Sequence, residues 1–364
     1  MEPKTTLLAI NTRWWNAEAH YAFNLGLALR AQGQAVAFLC NPGSPVHQRS
    51  LAEGFGQAEG LLLDDHSPRV QLRNYGRLRQ EIARLGVRRV VSFKSSGSWI
   101  FSWAKNRLGI QHIKLRGEAR KPSNNLGNRL LFGPWGADGV LCAGRSLQTW
   151  VADLGLGPQK MGTLYYGAPE LKDSGQENPL NLPEGKQILC LLGRNQPVKG
   201  HQVCLEAFAL LDRSDLHLLF LVKDLAEFPE ELAAIQGKIE SLGLQERVTL
   251  AGPMPNLARL LDQVTLGLVP SLGSEVNCRV AVEFFSRSVP VVAFPVGTLP
   301  ELIGPKNGRL CSDLSAGALA QSITEALVER DSLGLQARQD YLKHYSLEAL
   351  GQGFMEYMAQ WGLE

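Results

Sequence analysis

At 364 residues the chain is too long for one ordinary hydrophobic core and suits two α/β domains. An apolar share of 45% and a charged share of 20% are those of a globular protein, and no run approaches the roughly 20 uninterrupted apolar residues of a membrane span. The net charge of +2 conceals two unlike halves: residues 1–170 hold 21 Lys+Arg against 11 Asp+Glu, and residues 171–364 hold 16 against 24.

Short apolar runs alternate with amphipathic stretches, the pattern of parallel sheets covered by helices on both faces. In the first half the strand candidates are 6–10, 35–39, 89–93, 111–115, 140–142 and 162–165, with helices expected near 17–31, 73–85, 98–108 and 146–154. The first run is followed by Trp14, Trp15 and Asn16 and not by a small-residue cleavage site. It reads as a first strand rather than a signal peptide, and the chain is expected in the cytoplasm. Residues 169–185 lose all periodicity and gather Pro, Gly, Asp, Asn and Ser, which marks a linker. The alternation resumes with strands at 187–192, 217–222, 248–251, 266–269 and 289–293 and with helices opening at His201, Glu227, Asn256 and Arg279. Ser346 is placed to cap a last helix whose Leu347, Leu350, Phe354, Met358 and Trp361 form an apolar stripe.

The expected architecture is α/β, with two Rossmann-like doubly wound parallel-sheet domains. They span 1–168 and 186–345, the linker is 169–185, and 346–364 is a C-terminal helix crossing back to the first domain. Ligands of such sheets collect at the carboxyl ends of strands, and with two domains facing each other the cleft between them is the natural site.

The six cysteines, Cys40, Cys142, Cys190, Cys204, Cys278 and Cys311, stand singly, without a C-x-x-C pair or His at zinc spacing, and read as buried thiols. Asp64-Asp65, the nearest approach to an acidic metal motif, reads as a turn before His66, Ser67 and Pro68. Much of the positive excess lies between Arg69 and Lys121. It suggests an anionic partner, such as a lipid surface, a phosphorylated acceptor or nucleic acid; the alternative is the solvated face of a helix around Arg73 to Arg84.

Two loops carry chemistry. After the strand at 187–192 comes Gly193-Arg194-Asn195-Gln196-Pro197-Val198-Lys199-Gly200, with a helix opening at His201. A guanidinium binds phosphate oxygens through two parallel hydrogen bonds and an ammonium adds a point charge, so Arg194 and Lys199 suit a diphosphate, unless both are merely solvated loop cations. After the strand at 266–269 comes Pro270-Ser271-Leu272-Gly273-Ser274-Glu275-Val276-Asn277-Cys278-Arg279-Val280-Ala281-Val282-Glu283. With Asn277 as N-cap, Glu275 lies in the loop and Glu283 on the second helical turn, while the N–H groups around Asn277, Cys278 and Arg279 offer an anion site. Glu283 sits among Val280, Ala281, Val282, Phe284 and Phe285, poor company for a solvated charge.

Arg-x4-Lys, Glu-x7-Glu and Pro290-Val291-Val292-Ala293 followed by Gly297-Thr298-Leu299-Pro300-Glu301 resemble the family-four retaining glycosyltransferases of the GT-B fold. Asn16-Ala17-Glu18 with Asn24 to Leu29, and Ala137-Asp138-Gly139-Val140 through Tyr166-Gly167, resemble that family's acceptor domain. The resemblance implies that Arg194 and Lys199 neutralise the donor diphosphate, Glu283 holds the ribose hydroxyls and Glu275 binds the transferred sugar. Gly193, Asn277 and Cys278 complete the donor-binding set. It also implies no cofactor beyond the nucleoside-diphosphate sugar, no metal and no nucleic acid. The acceptor is then a glycan or a lipid-linked acceptor of the cell-surface polysaccharide or lipopolysaccharide type. The charge of the first half, not the resemblance, suggests peripheral attachment of the first domain to an anionic membrane surface.

The chain departs from the pattern in three places. Val276-Asn277-Cys278 replaces the usual glycine-containing segment, Thr12-Arg13-Trp14-Trp15-Asn16 replaces a Gly-rich loop, and Arg116-Gly117-Glu118 stands where a His is usual. Glu118 is therefore a candidate catalytic group beside Glu275, Arg194 and Lys199, and Trp15, Asn16, Lys94 and Arg116 are candidate acceptor residues. The competing assignments are a surface ion pair for Arg116 and Glu118, core packing for Trp14 and Trp15, and a structural role for His112. A retaining hexosyltransferase is the reading these residues support; a nucleotide-sugar epimerase and a catalytically silent sugar-nucleotide binding protein are its rivals.

Overall fold

The computed structural model describes residues 4–364 apart from 62, 64, 66, 94–97, 156–159, 224, 226 and 274. The chain divides into two compact units, Met1–Gly167 with Leu347–Glu364, and Ala168–Ser346.

The first unit runs β1 (Thr5–Ile10), α1 (Ala17–Ala31), β2 (Val36–Cys40), α2 (Pro45–Ala52), β3 (Gly56–Gln57), α3 (Pro68–Leu85), β4 (Val87–Phe93), α4 (Ser98–Leu108), β5 (Gln111–Arg116), α5 (Leu126–Phe132), β6 (Gly139–Cys142), α6 (Arg145–Ala152) and β7 (Met161–Thr163). Its sheet is parallel, in the order β3-β2-β1-β4-β5-β6-β7. All six residues of β1 are buried, because helices cover both faces of a parallel sheet and leave no wet side to alternate with.

The second unit runs β8 (Gln187–Gly193), α7 (His201–Leu211), β9 (Leu216–Val222), α8 (Pro229–Ser241), β10 (Val248–Ala251), α9 (Leu257–Leu261), β11 (Val264–Val269), α10 (Arg279–Ser286), β12 (Val291–Ala293), α11 (Leu299–Leu302), β13 (Gly308–Leu310), α12 (Ala316–Val328) and α13 (Arg330–Asp340). Its parallel sheet is ordered β10-β9-β8-β11-β12-β13, around a core that includes Leu189, Leu191, Phe208, Phe220, Leu266 and Leu319. The chain moves outward from β8 through β9 to β10 and then returns to the other side of β8 as β11, so the topological switch point lies at the carboxyl ends of β8 and β11.

Several expectations shift. The helix anticipated from Glu227 begins at Pro229, whose missing N–H and fixed φ suit a first helical turn. The helix anticipated from Arg73 starts a turn earlier, at Pro68. The short α2, β3 and α5 carry too few periods to register in a pattern, and α11, β13, α12 and α13 lie where no element was assigned. Residues 169–185 are irregular but tied down. Asn256 receives a hydrogen bond from Asn178 and donates through Nδ2 to Asp173 Oδ1 (2.5 Å) and the Gln176 carbonyl (3.0 Å), all inside the second unit.

The last helix, α14 (Leu347–Gln360), buries Leu350, Phe354 and Met358 against the first unit, beside α1. Sites without side chains receive its aromatics: a Cβ on Gly139 would lie 2.2 Å from the Trp361 ring, and one on Gly162 would lie 2.3 Å from Tyr357. Trp361→Ala is expected to destabilise the first unit by about 3 kcal/mol, and Gly139→Val to destabilise it by displacing the same ring. Because the two share one cavity, thermal unfolding of the double variant should show less than the sum of the single losses.

Candidate active site

Both loops with chemistry meet at the switch point of the second unit. After β8, Pro197–Lys199 form a single 3-10 turn closed by Gly200, whose φ of 75° is left-handed and whose missing Cβ leaves room for the Pro270 carbonyl, 2.0 Å from where that atom would stand. The Leu272 N–H donates to the Val198 carbonyl at 2.8 Å and joins the two loops directly. Across this junction Lys199 Nζ donates to Glu275 Oε1, which also accepts from Ser271 Oγ at 2.7 Å. The backbone of Glu275 is clamped from the turn after β12. Its carbonyl accepts the Thr298 N–H (2.7 Å), Thr298 Oγ1 donates to the Val276 carbonyl (2.6 Å), and a Cβ on Gly297 would stand 2.0 Å from the Glu275 carbonyl oxygen.

The N-cap expectation fails by one residue. Helix α10 begins at Arg279 and the capping position is Cys278, held at φ 45° without a side-chain cap, while Asn277 is buried in the loop. A non-glycine residue in the left-handed region costs about 1 kcal/mol, and here it follows from the tight return of the loop onto Thr298, whose Oγ1 lies 3.0 Å from Cys278 Sγ. Glu283 does fall on the second turn of α10. Its side chain is only 16% exposed, Oε1 is 3.2 Å from Arg279 Nε, and Oε2 is buried without a hydrogen-bond partner. Burial pushes its carboxyl above the ordinary range, and Arg279 opposes the shift. Arg194 is half-exposed, with Nη1 3.8 Å from Glu227 Oε1, a loose pair that a ligand displaces at little cost. Gly193 ends β8 beside it, its backbone carbonyl accepting from the Lys223 N–H at 2.9 Å.

The motifs give no role to three neighbouring side chains: Ser271, Arg279 and Asn195. Asn195 is fully buried, anchors through Nδ2 to the Phe228 carbonyl, and leaves Oδ1 without a partner. Arg279 was legible as the residue four before Glu283 on one helix face. His201, at the start of α7, is also buried, and burial lowers it to about 4, so it is neutral.

In the first unit the candidates take separate jobs. Asn16 caps α1, its side chain accepting the Ala19 N–H at 3.0 Å. Trp15 packs on His20 and Phe23 under the Arg49 guanidinium, whereas Trp14, assigned to core or stacking, is 77% exposed. Arg116 is buried, paired with Glu118 at 3.4 Å and donating to the Arg120 carbonyl, and its Nε has no partner. Glu118 itself is 35% exposed. Lys94, and Asp64 and His66 of the acidic motif, lie outside the described residues; Asp65 accepts from the Ser67 N–H at 2.8 Å, as a turn residue does. His112 is structural, bonded to Ser92 Oγ and the Gly136 carbonyl, and burial lowers it to about 3. Its neighbour two along the strand, Lys114, belongs to no motif. It is buried, donates to Ser98 Oγ at 2.7 Å and lies over the Phe132 ring. Burial, with Arg116 adding repulsion, lowers it to about 7. The six cysteines are buried free thiols, and among the described residues no three His, Cys, Asp or Glu side chains gather as a metal site.

Two doubly wound parallel-sheet units in one chain make the GT-B architecture. The fold superposes on a glycosyltransferase of Rickettsia africae ESF-5 with a TM-score of 0.87, at 17% identity over 99% of both chains. It also matches Anabaena HepE, solved in complex with UDP, with a TM-score of 0.80 at 15% identity over 98% of this chain and 100% of that one. Residues 174–343, nearly all of the second unit, match the family described as glycosyl transferases group 1. A lipopolysaccharide 1,2-N-acetylglucosaminetransferase of Salmonella typhimurium is 29% identical over 210 residues, 53% of this chain and 54% of that protein. The chain spans about half the length of the curated relatives it matches.

Two buried charges carry opposite pH signatures. Glu283, raised above its unfolded value, contributes stability that is full below the ordinary carboxylate range and is lost as pH rises through the raised value. Glu283→Gln should therefore raise the melting temperature at pH 7 and leave it nearly unchanged at pH 4. Lys114, lowered to about 7, has its stability in full above the unfolded lysine value and loses it as pH falls through about 7. Lys114→Met should stabilise the protein more at pH 7 than at pH 10, and calorimetric unfolding at the two pH values checks the sign.

Proposed function

We propose that the chain is a retaining, metal-independent glycosyltransferase that moves a sugar from a nucleoside-diphosphate sugar to a hydroxyl of a glycan or lipid-linked acceptor, of the cell-surface polysaccharide or lipopolysaccharide type. The observation that carries this reading is the buried Glu283 Oε2 without a partner, on the helix that follows the loop holding the Lys199–Glu275 pair. A ribose supplies two hydroxyl donors for such a carboxylate, and a diphosphate matches Arg194 and Lys199 at the carboxyl edge of β8. HepE was solved with UDP, and the Salmonella relative is named for N-acetylglucosamine transfer, which makes UDP the first nucleotide to try.

In this reading the bond between the anomeric carbon and the diphosphate oxygen breaks as the acceptor oxygen attacks from the same face. The acceptor's proton passes to the leaving phosphate oxygen. Negative charge grows on the diphosphate, where Arg194 and Lys199 stabilise it in place of a divalent cation. Glu275 binds the hydroxyls of the sugar, and its hold on Lys199 passes to the diphosphate when the donor enters. On the first unit, Trp15, Arg116 and Glu118 remain the proposed acceptor-side groups.

Arg194→Ala and Lys199→Ala should each weaken UDP binding by about 1.5–3 kcal/mol, the contribution of a charge-assisted hydrogen bond. Calorimetric affinities unchanged in both variants would remove the site. Glu275→Gln should leave UDP affinity intact or improved, since it releases Lys199, while lowering kcat; Glu283→Gln should act on donor affinity. Transfer should survive EDTA, and loss on chelation reversed by Mn²⁺ would contradict the metal-independent reading.

A further inference from the structure

The face that α3, α4 and α5 turn to solvent inverts the usual make-up of a wet helix surface. Leu72 on α3 is 70% exposed and Leu126 on α5 is 73% exposed, while Trp99 and Trp103 on α4, Leu130 on α5 and Trp135 just beyond it each leave more than a third of their surface in solvent. Trp99 and Trp103 are one helical turn apart, as are Leu126 and Leu130, so each pair shares a face. The rings bridge the helices: Trp99 and Trp135 have centroids 5.7 Å apart, and Tyr75 of α3 meets Trp103 at 6.2 Å. This is a joined apolar surface and not a scatter of single residues.

Cations are interleaved with it at helical spacing. Exposed Arg69 and Arg73 flank Leu72, Arg107 lies four residues beyond Trp103, and Arg129 adjoins Leu130. Residues 68–137 hold 15 Lys+Arg and two carboxylates, Glu81 and Glu118. Glu81, the one acid on these three helices, is buried and bound by Arg77 and Arg84. The face therefore exposes indole, leucine and guanidinium, and its helices expose no carboxylate.

We infer that this face docks on an anionic lipid bilayer. Tryptophan and leucine favour the boundary between headgroups and acyl chains, and arginine pairs with lipid phosphate above it. Cations threaded through the apolar patch match a continuous layer of anionic headgroups over hydrocarbon; a protein partner calls for an apolar centre with the charges at its rim. Of the arginines that make up the positive excess, four on or next to α3 are occupied elsewhere. Arg77 and Arg84 hold Glu81, Arg88 donates to the Glu364 carbonyl, and Arg89 is buried against Gln111 and the Leu363 carbonyl. The lipid-facing set is Arg69, Arg73, Arg107 and Arg129 with the leucines and tryptophans. The surface belongs to the first unit and stands whether or not the donor site is read correctly.

Flotation of the full chain with phosphatidylcholine vesicles, and with vesicles mixed equally with phosphatidylglycerol, tests it at about 0.1 M and about 1 M salt, where the Debye length falls from about 10 Å to about 3 Å. Binding is expected to the anionic vesicles alone and to weaken at high salt. Arg73→Gln/Arg107→Gln/Arg129→Gln should lower partitioning roughly a hundredfold, at about fivefold per cation. Leu72→Ser/Leu126→Ser should also lose binding, and both variants should keep the parent melting temperature, since the replaced side chains lie largely in solvent. The inference is overturned by a parent chain that ignores anionic vesicles, by variants that bind as the parent does, or by a parent dimer in gel filtration that the leucine variant dissolves, since a second copy would then be what covers the face.

Discussion

The ion pair between Lys199 and Glu275 is the tie on which the candidate site depends. It joins the loop after β8 to the loop after β11, and each side is fixed by backbone geometry that only a missing Cβ allows, at Gly200 under the Pro270 carbonyl and at Gly297 against Glu275. Because the two strands are adjacent at the point where the sheet order reverses, the loops leave in different directions and open the space that a doubly wound sheet uses for ligands. Ser271 and Thr298 then set the carboxylate and its backbone. A cation and an anion held this way are preorganised, and in the proposed function a donor carrying both phosphate and sugar hydroxyls would exchange one set of partners for another without rebuilding the loops.

The first three strands of the second unit were among the most legible elements. They are continuous apolar runs, so β10 appears with the expected bounds and β8 and β9 differ by a single residue. The placement of Arg194, Lys199 and Glu275 in loops after strands, and of Glu283 on a helix, was legible because spacing from strand ends is local information. What the sequence concealed is set by distance. The Thr298 clamp and the pairing of Ser271 with Glu275 arise from turns after different strands, and the left-handed Cys278 is a consequence of that closure rather than of its own propensity. In the first unit Asn16 sits where an acceptor contact was expected, yet its position just before an amphipathic run already fitted a helix cap.

The first unit accepts unusual electrostatics. Strand β5 turns His112, Lys114 and Arg116 to one face in strict alternation, and all three are buried. His112 is satisfied as a neutral ring, but Lys114 has one hydroxyl and an aromatic face, and Arg116 keeps a buried N–H without a partner. Cations cost stability in such surroundings, and a chain selected for stability alone would fill these positions with apolar groups. The same unit exposes tryptophans and leucines among arginines on its outer helices. Buried cations and exposed aromatics are both violations of local preference, and they fall in the unit whose ligand the family resemblance leaves most open.

The proposed function requires one nucleoside-diphosphate sugar to lie across the two loops of the second unit. A crystal structure of the chain with UDP-N-acetylglucosamine tests it most directly. The diphosphate is expected between Arg194 and Lys199, both ribose hydroxyls on Glu283 and the sugar hydroxyls within hydrogen-bond reach of Glu275. A nucleotide bound elsewhere, or a diphosphate neutralised by a metal ion with Lys199 still on Glu275, would contradict it.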